Sequence, residues 1–392
     1  MIIVLASLIS IFTVFPWGGS NLVVALFVGA SSIILAQDFV ETVKIAIASW
    51  LGKICFSCLA GILLIRTLFS ESFSTPHFFF ELTAILSLIL GGAALRQTYY
   101  KSGPKKVLSD ITIATTLSIF IFAIGFFRDG LSFSSVDVGR VYSSESDLSL
   151  KNILTISVFS FPFFRLGSRP QAKFILSLGM ILFSIASLAS GGRSFLPLLV
   201  YLVLVLLPLI EKRSISVYAL AYASSLILVL LIFKSSLEFV YARLLAGNVA
   251  SQLESSYGMD SRFLEFVIYI SNSTSLATFL GLGMGSVTSS ILFDGITNTL
   301  HLSIGTLVLK VGWLGLLFVV LWISSFVAAL IKAKSPVSLV MALPLLGWFL
   351  SLDLPHTTLS SPQIMFYLGY FMAFAFYSVA LTSRANSSIV PA

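Results

Sequence analysis

The most constraining feature of this sequence is a succession of apolar segments, each long enough to cross a lipid bilayer. A membrane helix needs about 20 apolar residues, with a range of about 17–25. Such segments follow one another along the 392 residues, of which 57% are hydrophobic and 10% are charged. Average soluble domains carry about 25% charged residues. The pattern excludes an ordinary soluble domain and a disordered chain, and it predicts a polytopic membrane protein.

We interpret these segments as about twelve membrane-spanning helices in an all-α bundle, and we treat residues 1–392 as a single transmembrane domain. The first and sixth segments are the shortest, and the tenth is long enough to tilt or to project from the bilayer. The first lacks a basic start and a small-residue cleavage site, which favours a span over a signal peptide. The predicted spans lie near 1–16, 20–37, 45–66, 77–95, 107–127, 151–165, 172–189, 194–210, 214–233, 301–330, 336–352 and 362–382.

The charges between these spans predict the orientation of the protein. The connection at 96–106 carries four basic residues and no acid, and the next connection of the same parity is also basic at 165–173. Basic connections remain in the cytoplasm. The alternate connections are neutral or acidic and should face outward. With twelve spans, both termini lie in the cytoplasm, and the net charge of +7 reflects orientation rather than nucleic-acid binding.

Two of the predicted outer connections, 128–150 and 234–300, are too long to be simple turns. The second contains apolar residues at helical spacing, which predicts short amphipathic helices at the outer membrane interface. The residues that carry this pattern are Leu237, Val240, Tyr241, Leu244 and Leu245, and then Phe263, Phe266, Val267 and Ile270.

Two kinds of reactive side chain fall inside predicted spans. A lysine at mid-bilayer costs about 2.5–3.5 kcal/mol, so Lys53 and Lys310 should pair within the bundle or extend to its surface. Cys55 and Cys58 lie one helical turn apart, but two ligands do not complete a tetrahedral zinc site. Close helix packing explains these small side chains, and we expect neither a metal nor a cofactor.

A first candidate for chemistry is Arg193, in the short outer connection Ser190-Gly-Gly-Arg-Ser194. An arginine at this depth can extend to lipid head groups. Gly191 and Gly192 favour a functional role, because a glycine pair allows close approach of a ligand and presents amide donors to an anion.

Arg262 and His301 are the next candidates. Arg262 lies at the start of a predicted amphipathic helix, where a solvated ion pair with Asp260 is the alternative interpretation. His301 begins the tenth span. A lone histidine there is often a capping or packing residue, but its ordinary pKa of about 6.5 suits a general base.

Two arginines and a histidine on one face of the membrane fit transfer of a sugar from a lipid diphosphate to a hydroxyl. Arginine forks match phosphate oxygens, and the histidine can accept the proton of the hydroxyl. Further candidates for substrate binding are Arg140 and Arg243 in the long loops, and Asp353 and His356 in the last outer connection.

The order of these motifs resembles the Wzy-type O-antigen polymerases and the related O-antigen ligases, chiefly over residues 175–330. The resemblance rests on Ser190-Gly-Gly-Arg-Ser194, Ser261-Arg262 and Gly281-Leu-Gly-Met-Gly285, followed by His301-Leu-Ser-Ile-Gly305 and Gly312-Trp-Leu-Gly315. Some members carry a glycine eleven positions after an arginine of the large outer loop. Here Ser273 stands at that distance from Arg262.

The resemblance implies a fold like that of the GT-C glycosyltransferases and a metal-independent, inverting transfer without a cofactor. It implies that Arg193 and Arg262 bind the diphosphate and that His301 activates the acceptor hydroxyl. Donor and acceptor would be glycans linked to undecaprenyl diphosphate in a bacterial inner membrane, with the active site on the periplasmic side. A chain-length regulator is a further candidate partner.

Two alternatives remain open from the sequence. An O-antigen ligase would use the same three residues to move a finished glycan onto a lipid A-core acceptor. A flippase for the lipid-linked sugar belongs to another class of protein, but transporters usually bind near mid-membrane between repeated halves. We find no repeat in this sequence.

Overall fold

Apolar helices form the described part of this protein because a helix satisfies its own backbone hydrogen bonds, as a membrane span requires. The computed structural model describes residues 2–9, 20–47, 50–70, 72–129, 156, 170–189, 259–290, 295–297, 299–300, 303–332, 362 and 364–373. The helices within these ranges are α1 (Ile2–Ile9), α2 (Ser20–Ile34), α3 (Ala36–Ala46), α4 (Trp50–Leu68), α5 (Thr75–Asp129), α6 (Pro170–Ala189), α7 (Met259–Asn272), α8 (Ser275–Leu280), α9 (Ser303–Lys332) and α10 (Ile364–Ala373).

Several helices have the length and apolar composition needed to cross a membrane, which indicates a helical membrane protein. Four such helices occur in the described residues, or up to five if a bent pair forms one span. They correspond to the third, fourth, fifth and tenth predicted spans, and they are Trp50–Leu68, Thr75–Gly103, Lys105–Ile124 and Ile304–Ser325. The total of about twelve spans remains a prediction.

The helix boundaries differ from the predicted spans at two places on the predicted cytoplasmic side. The basic segment 96–106 was predicted to be a connection, but α5 continues through most of it and breaks only at Gly103, where φ is 74°. The second predicted span ends early, because the chain bends by 85° between α2 and α3. Arg96 joins these regions through ion pairs with Asp38 at 3.2 Å and Glu41 at 3.4 Å.

The chain divides into two compact units. The first comprises Met1–Phe27 and Gln97–Gly247, and the second comprises Val28–Arg96 and Asn248–Ala392. In the second unit, α10 packs closely against α5 because glycines replace side chains at the crossing. A Cβ atom on Gly91 would collide with the carbonyl oxygen of Phe366, and one on Gly369 would collide with that of Leu88. Small residues commonly let membrane helices approach in this way.

Of the two amphipathic helices predicted in the large loop, the second is confirmed as a helix by α7, and the first, at Leu237 to Leu245, lies outside the described residues. The loop also contains a short antiparallel hairpin, β1 (Thr288–Ser290) with β2 (Gly295–Thr297), in which Ser289 lies opposite Ile296. This hairpin was not predicted by the apolar pattern. In the sequence it follows α8 and precedes α9, the broken span described below.

Candidate functional site

A polar cluster in the second unit surrounds the segment Gly281-Leu-Gly-Met-Gly285, which we call the glycine loop. It follows α8, and Thr274 caps that helix through its Oγ1 atom, which accepts the amide of Ala277 at 3.2 Å. The three glycines have φ values of 77°, 89° and 71°. Only glycine adopts such a backbone readily, and a Cβ atom at Gly281 would also collide with the carbonyl of Lys310.

The glycine loop docks against a break in α9. At Gly312 the backbone has φ 68° and ψ −177°, so the helix is interrupted inside its apolar stretch. The carbonyl oxygens of Leu309 and Lys310 then lose the partners that lie four residues ahead in a continuous helix. The amides of Leu282 and Gly283 donate to these two oxygens at 2.7 Å and 3.0 Å. Backbone amides of the glycine loop therefore satisfy the carbonyl oxygens that the break in the span leaves without partners.

A buried ion pair lies beside this break. The Lys310 ammonium is 2.7 Å from Oε1 of Glu81 on α5, and each of the two side chains is 11% exposed. Oε2 of Glu81 accepts the amide of Gly285 at 2.9 Å. The expectation that Lys310 pairs within the bundle is therefore confirmed. Lys53, in contrast, is exposed on α4.

Ser286 lies next to the ion pair, but Ser286 and Lys310 are not arranged as a nucleophile and its base. Lys310 donates to the Ser286 carbonyl at 2.8 Å and approaches its Oγ at 3.4 Å, in addition to its contact with Glu81. The ammonium group of Lys310 has three hydrogens and three acceptor atoms around it, which is the arrangement of a charged donor. The Ser286 hydroxyl donates to the Gly283 carbonyl at 2.6 Å and is buried. The cluster therefore holds the glycine loop in place.

The other side of the glycine loop contacts the last turn of α4 and the connection from α4 to α5. Arg66 Nε donates to the Gly281 carbonyl at 2.7 Å, and the Met284 amide donates to Thr67 Oγ1 at 2.8 Å. Further along, the Ser74 amide donates to the Gly285 carbonyl at 2.8 Å. Both segments were predicted to lie on the outer side of the membrane, and these contacts are consistent with that assignment.

Helix α7 packs on the beginning of α9. Phe266 and Tyr269 of α7 form a buried cluster with Leu300, Val308 and Leu309. The rings of Phe266 and Trp313 are 6.1 Å apart in an edge-to-face arrangement, which favours aromatic contact. The helix whose first turn carries Arg262 is thus joined to the first turns of the helix that follows His301.

The backbone just before His301 is fixed by one threonine. The Leu300 amide donates to Thr306 Oγ1 at 3.0 Å, and the same hydroxyl donates back to the Leu300 carbonyl at 2.8 Å. Leu300 and Thr306 are both almost fully buried. These bonds attach residue 300 to the first turn of α9.

Of the predicted site residues, only Arg262 lies in the described part of the structure. Arg262 lies in the first turn of α7. The other predicted residues lie outside the described ranges, so their roles remain predictions; they are Arg193, Gly191, Gly192, His301, Arg140, Arg243, Asp353 and His356.

Sequence reasoning missed two charged residues that contact the glycine loop, Glu81 and Arg66. Glu81 is the single acid in its predicted span, and an acid there should have been matched to the lysine expected to need a partner. Arg66 ends its span next to a connection predicted to be outer. No local pattern links either residue to a loop that lies more than 200 positions later, at Gly281 and Gly285.

No protein-family model matches the chain, and no curated protein matches it at a significant level. The described residues themselves define its class, a helical membrane protein with a broken span stabilised by a buried ion pair.

Proposed function

We propose that this protein is a glycosyltransferase that polymerises oligosaccharide repeat units carried on undecaprenyl diphosphate, as in O-antigen synthesis. The observation that carries the proposal is the packing of α7 on the start of α9. It joins the helix bearing Arg262 to the segment that directly follows His301, and Thr306 fixes the intervening backbone at Leu300. Arg262 belongs to that helix, and His301 is the next residue in the sequence after Leu300.

In the proposed reaction, the hydroxyl of an acceptor repeat attacks the anomeric carbon of the donor glycan. The bond between that carbon and the diphosphate oxygen breaks, and undecaprenyl diphosphate leaves with the electron pair. His301 accepts the hydroxyl proton, while Arg193 and Arg262 neutralise the diphosphate. A diphosphate is a stable leaving group, so the reaction needs no strong general acid, unlike glycoside hydrolysis by a carboxylate pair.

Transport of the lipid-linked sugar is the second candidate, and the break in α9 is the observation that favours it. Many transporters bind substrate at discontinuous helices near mid-membrane. In this protein, however, the glycine loop occupies the broken backbone, and Lys310 directs its hydrogens to Glu81 and Ser286. The groups that would receive a substrate at the break are thus engaged, which favours polymerisation.

Purified protein incubated with lipid-linked repeat units tests the proposal. A polymerase should produce a ladder of longer glycans on undecaprenyl diphosphate. Arg193→Ala and Arg262→Ala should weaken donor use, and Arg193→Lys should rescue it only partly, because lysine lacks the planar fork. Transfer only to an added lipid A-core acceptor would identify a ligase, and lipid flipping without glycan extension would identify a transporter.

A further inference from the structure

The basic segment 96–106 of α5 contains two kinds of positive charge. Arg96 and Lys106 each have an ion pair with an acid, at 3.2 Å and 2.9 Å. Lys101 and Lys105, between them, are exposed, and neither has an ion pair or a hydrogen bond with another residue that the structure describes. The segment contains no acid that could balance them. These two ammonium groups are therefore open to an anion from outside the protein.

The two lysines flank the break of α5 at Gly103. The helices on either side, Thr75–Gly103 and Lys105–Ile124, are each long and apolar enough to cross a membrane, and a break between two such helices lies at a membrane surface. The first has 29 residues, which at about 1.5 Å per residue extend about 43 Å, against about 30 Å for the hydrocarbon core of a bilayer. Its predicted apolar stretch ends before Arg96, so the end that carries Lys101 reaches the layer of lipid head groups.

The break is open to its surroundings in the described part of the structure. Beyond its own turn, no atom lies within 4 Å of the position that a Cβ atom on Gly103 would take. Ser102 beside it is exposed. Tyr100 is 61% exposed, and its ring packs edge-to-face against that of Tyr99, with centroids 6.2 Å apart. Tyrosine is enriched at the head-group level of membranes, where its ring contacts lipid and its hydroxyl meets water, so this surface suits a lipid interface.

We propose that Lys101 and Lys105 form a binding surface for the phosphate head groups of anionic phospholipids, on the predicted cytoplasmic side of the membrane. Each ammonium supplies three hydrogens and one positive charge to phosphate oxygens. Basic residues at the membrane end of a helix attract anionic lipids, and the attraction falls off within about 8 Å in physiological salt. The acyl chains keep a head group at the depth of these lysines, which a soluble anion does not share. This surface plays no part in the proposed glycan transfer and does not depend on it.

The test measures lipid selectivity next to the lysines. A fluorophore is attached at Ser109→Cys, an exposed position one helical turn after Lys105, in the full-length protein with Cys55 and Cys58 replaced by alanine. In phosphatidylcholine nanodiscs, quenching by spin-labelled phosphatidylglycerol is compared with quenching by equally labelled phosphatidylcholine. The association constants should favour phosphatidylglycerol about 30-fold, then about 5-fold in Lys101→Gln or Lys105→Gln, and not at all in the double variant. No preference in the parent protein, or an undiminished preference in the double variant, would overturn the surface.

Lys44→Gln is the matched control. Lys44 lies on α3, which the order of the predicted spans places on the same side of the membrane; its side chain is 64% exposed but already pairs with Glu41 at 2.8 Å. This variant should change the preference by less than about 2-fold, because an exposed pair carries little free charge to offer. A loss equal to that of Lys101→Gln would show that only net charge matters and would overturn the surface. Arginine at both 101 and 105 keeps the two charges and should keep the preference, and a loss there would contradict a contact with phosphate.

A soluble anion is the other occupant that the same system tests. Excess glycerol phosphate, compared with sodium chloride at equal ionic strength, should leave the preference unchanged, because it lacks the acyl chains that hold a head group at this depth. Displacement of the lipid by glycerol phosphate would assign the surface to a soluble anion and overturn the proposal. Raising the ionic strength should weaken the preference, since the charges are at the surface, and a preference independent of salt would contradict it. No glycan is present in these measurements, so a preference that depends on the two lysines stands even if the protein makes no glycan.

Discussion

A charged residue inside a membrane protein is stable only where its neighbours replace the lost water. Lys310 meets this condition with Glu81 and Ser286, and Glu81 also accepts the amide of Gly285. A buried pair is not in itself strongly stabilising, because desolvation offsets the attraction between the charges. Its value here lies in geometry, since the two side chains hold the glycine loop against α5 and α9.

The first prediction concerns this pair. Glu81→Gln or Lys310→Met should each lower the free energy of unfolding by about 3–5 kcal/mol, because each leaves one buried charge without its partner. The double variant should be less destabilised than the sum of the two. Thermal unfolding in detergent measures this, with Lys53→Met as the matched control on an exposed lysine. A Lys310→Met protein as stable as the wild type would contradict the structural role.

The second prediction concerns His301 as the general base. His301→Gln keeps a polar side chain but not the basicity, so glycan extension should fall about 10²–10⁴-fold while donor binding survives. In the wild type, the rate should decline as pH falls through the pKa of the histidine, ordinarily about 6.5, because imidazolium accepts no proton. Extension by His301→Gln at the wild-type rate would make His301 a packing residue, and His356 would be tested next.

At the scale of elements, the break in α9 depends on a glycine-to-glycine crossing. A Cβ atom on Gly312 would collide with the Phe279 carbonyl, and Gly281 lies directly opposite. The break is also what releases the two carbonyl oxygens that receive the glycine loop. Helix α8, the glycine loop and α9 therefore pack together as one unit.

The third prediction follows from this crossing. Gly312→Ala should destabilise the protein by at least about 1–3 kcal/mol from backbone strain, with a further cost from the collision. Hydrogen exchange should increase at the amides of Leu282 and Gly283, which would lose their acceptors. Gly61→Ala on α4 is the matched control, because no atom lies within 4 Å of its Cβ position. Equal exchange in both variants would argue against the docking of the loop at the break.

The elements differ in how far the sequence predicts them. Span length and apolar periodicity predicted α4, α9 and the amphipathic α7, because both signals are local. They predicted neither the break at Gly312 nor Glu81 as the partner of Lys310. Those features depend on backbone contacts between segments far apart in the chain. For the same reason, the sequence singled out Arg262 but not Arg66, whose anchoring bond to Gly281 becomes visible only in the fold.

At the scale of the whole molecule, two contacts join segments that the predicted order of spans places on the same side of the membrane. The α4–α5 connection contacts the glycine loop, and both were predicted to be outer. Arg96, at the start of the basic segment, contacts Asp38 and Glu41 of α3, and the order of the predicted spans places both regions on the same side. In each case, an even number of predicted spans separates the two segments in contact, as it must for two segments on the same side of a membrane.

The last prediction places the proposed site on the outer side. In a protein with Cys55 and Cys58 replaced by alanine, Ser289→Cys on the exposed part of β1 should react with a membrane-impermeant maleimide in intact cells. Ser102→Cys, which is exposed beside the break of α5 at Gly103 in the predicted cytoplasmic segment, should react only after the membrane is opened. The reverse pattern would place the glycine loop, Arg66 and α7 in the cytoplasm. A lipid-linked glycan exposed on the periplasmic face could then not reach them, and the polymerase proposal would fail together with the topology.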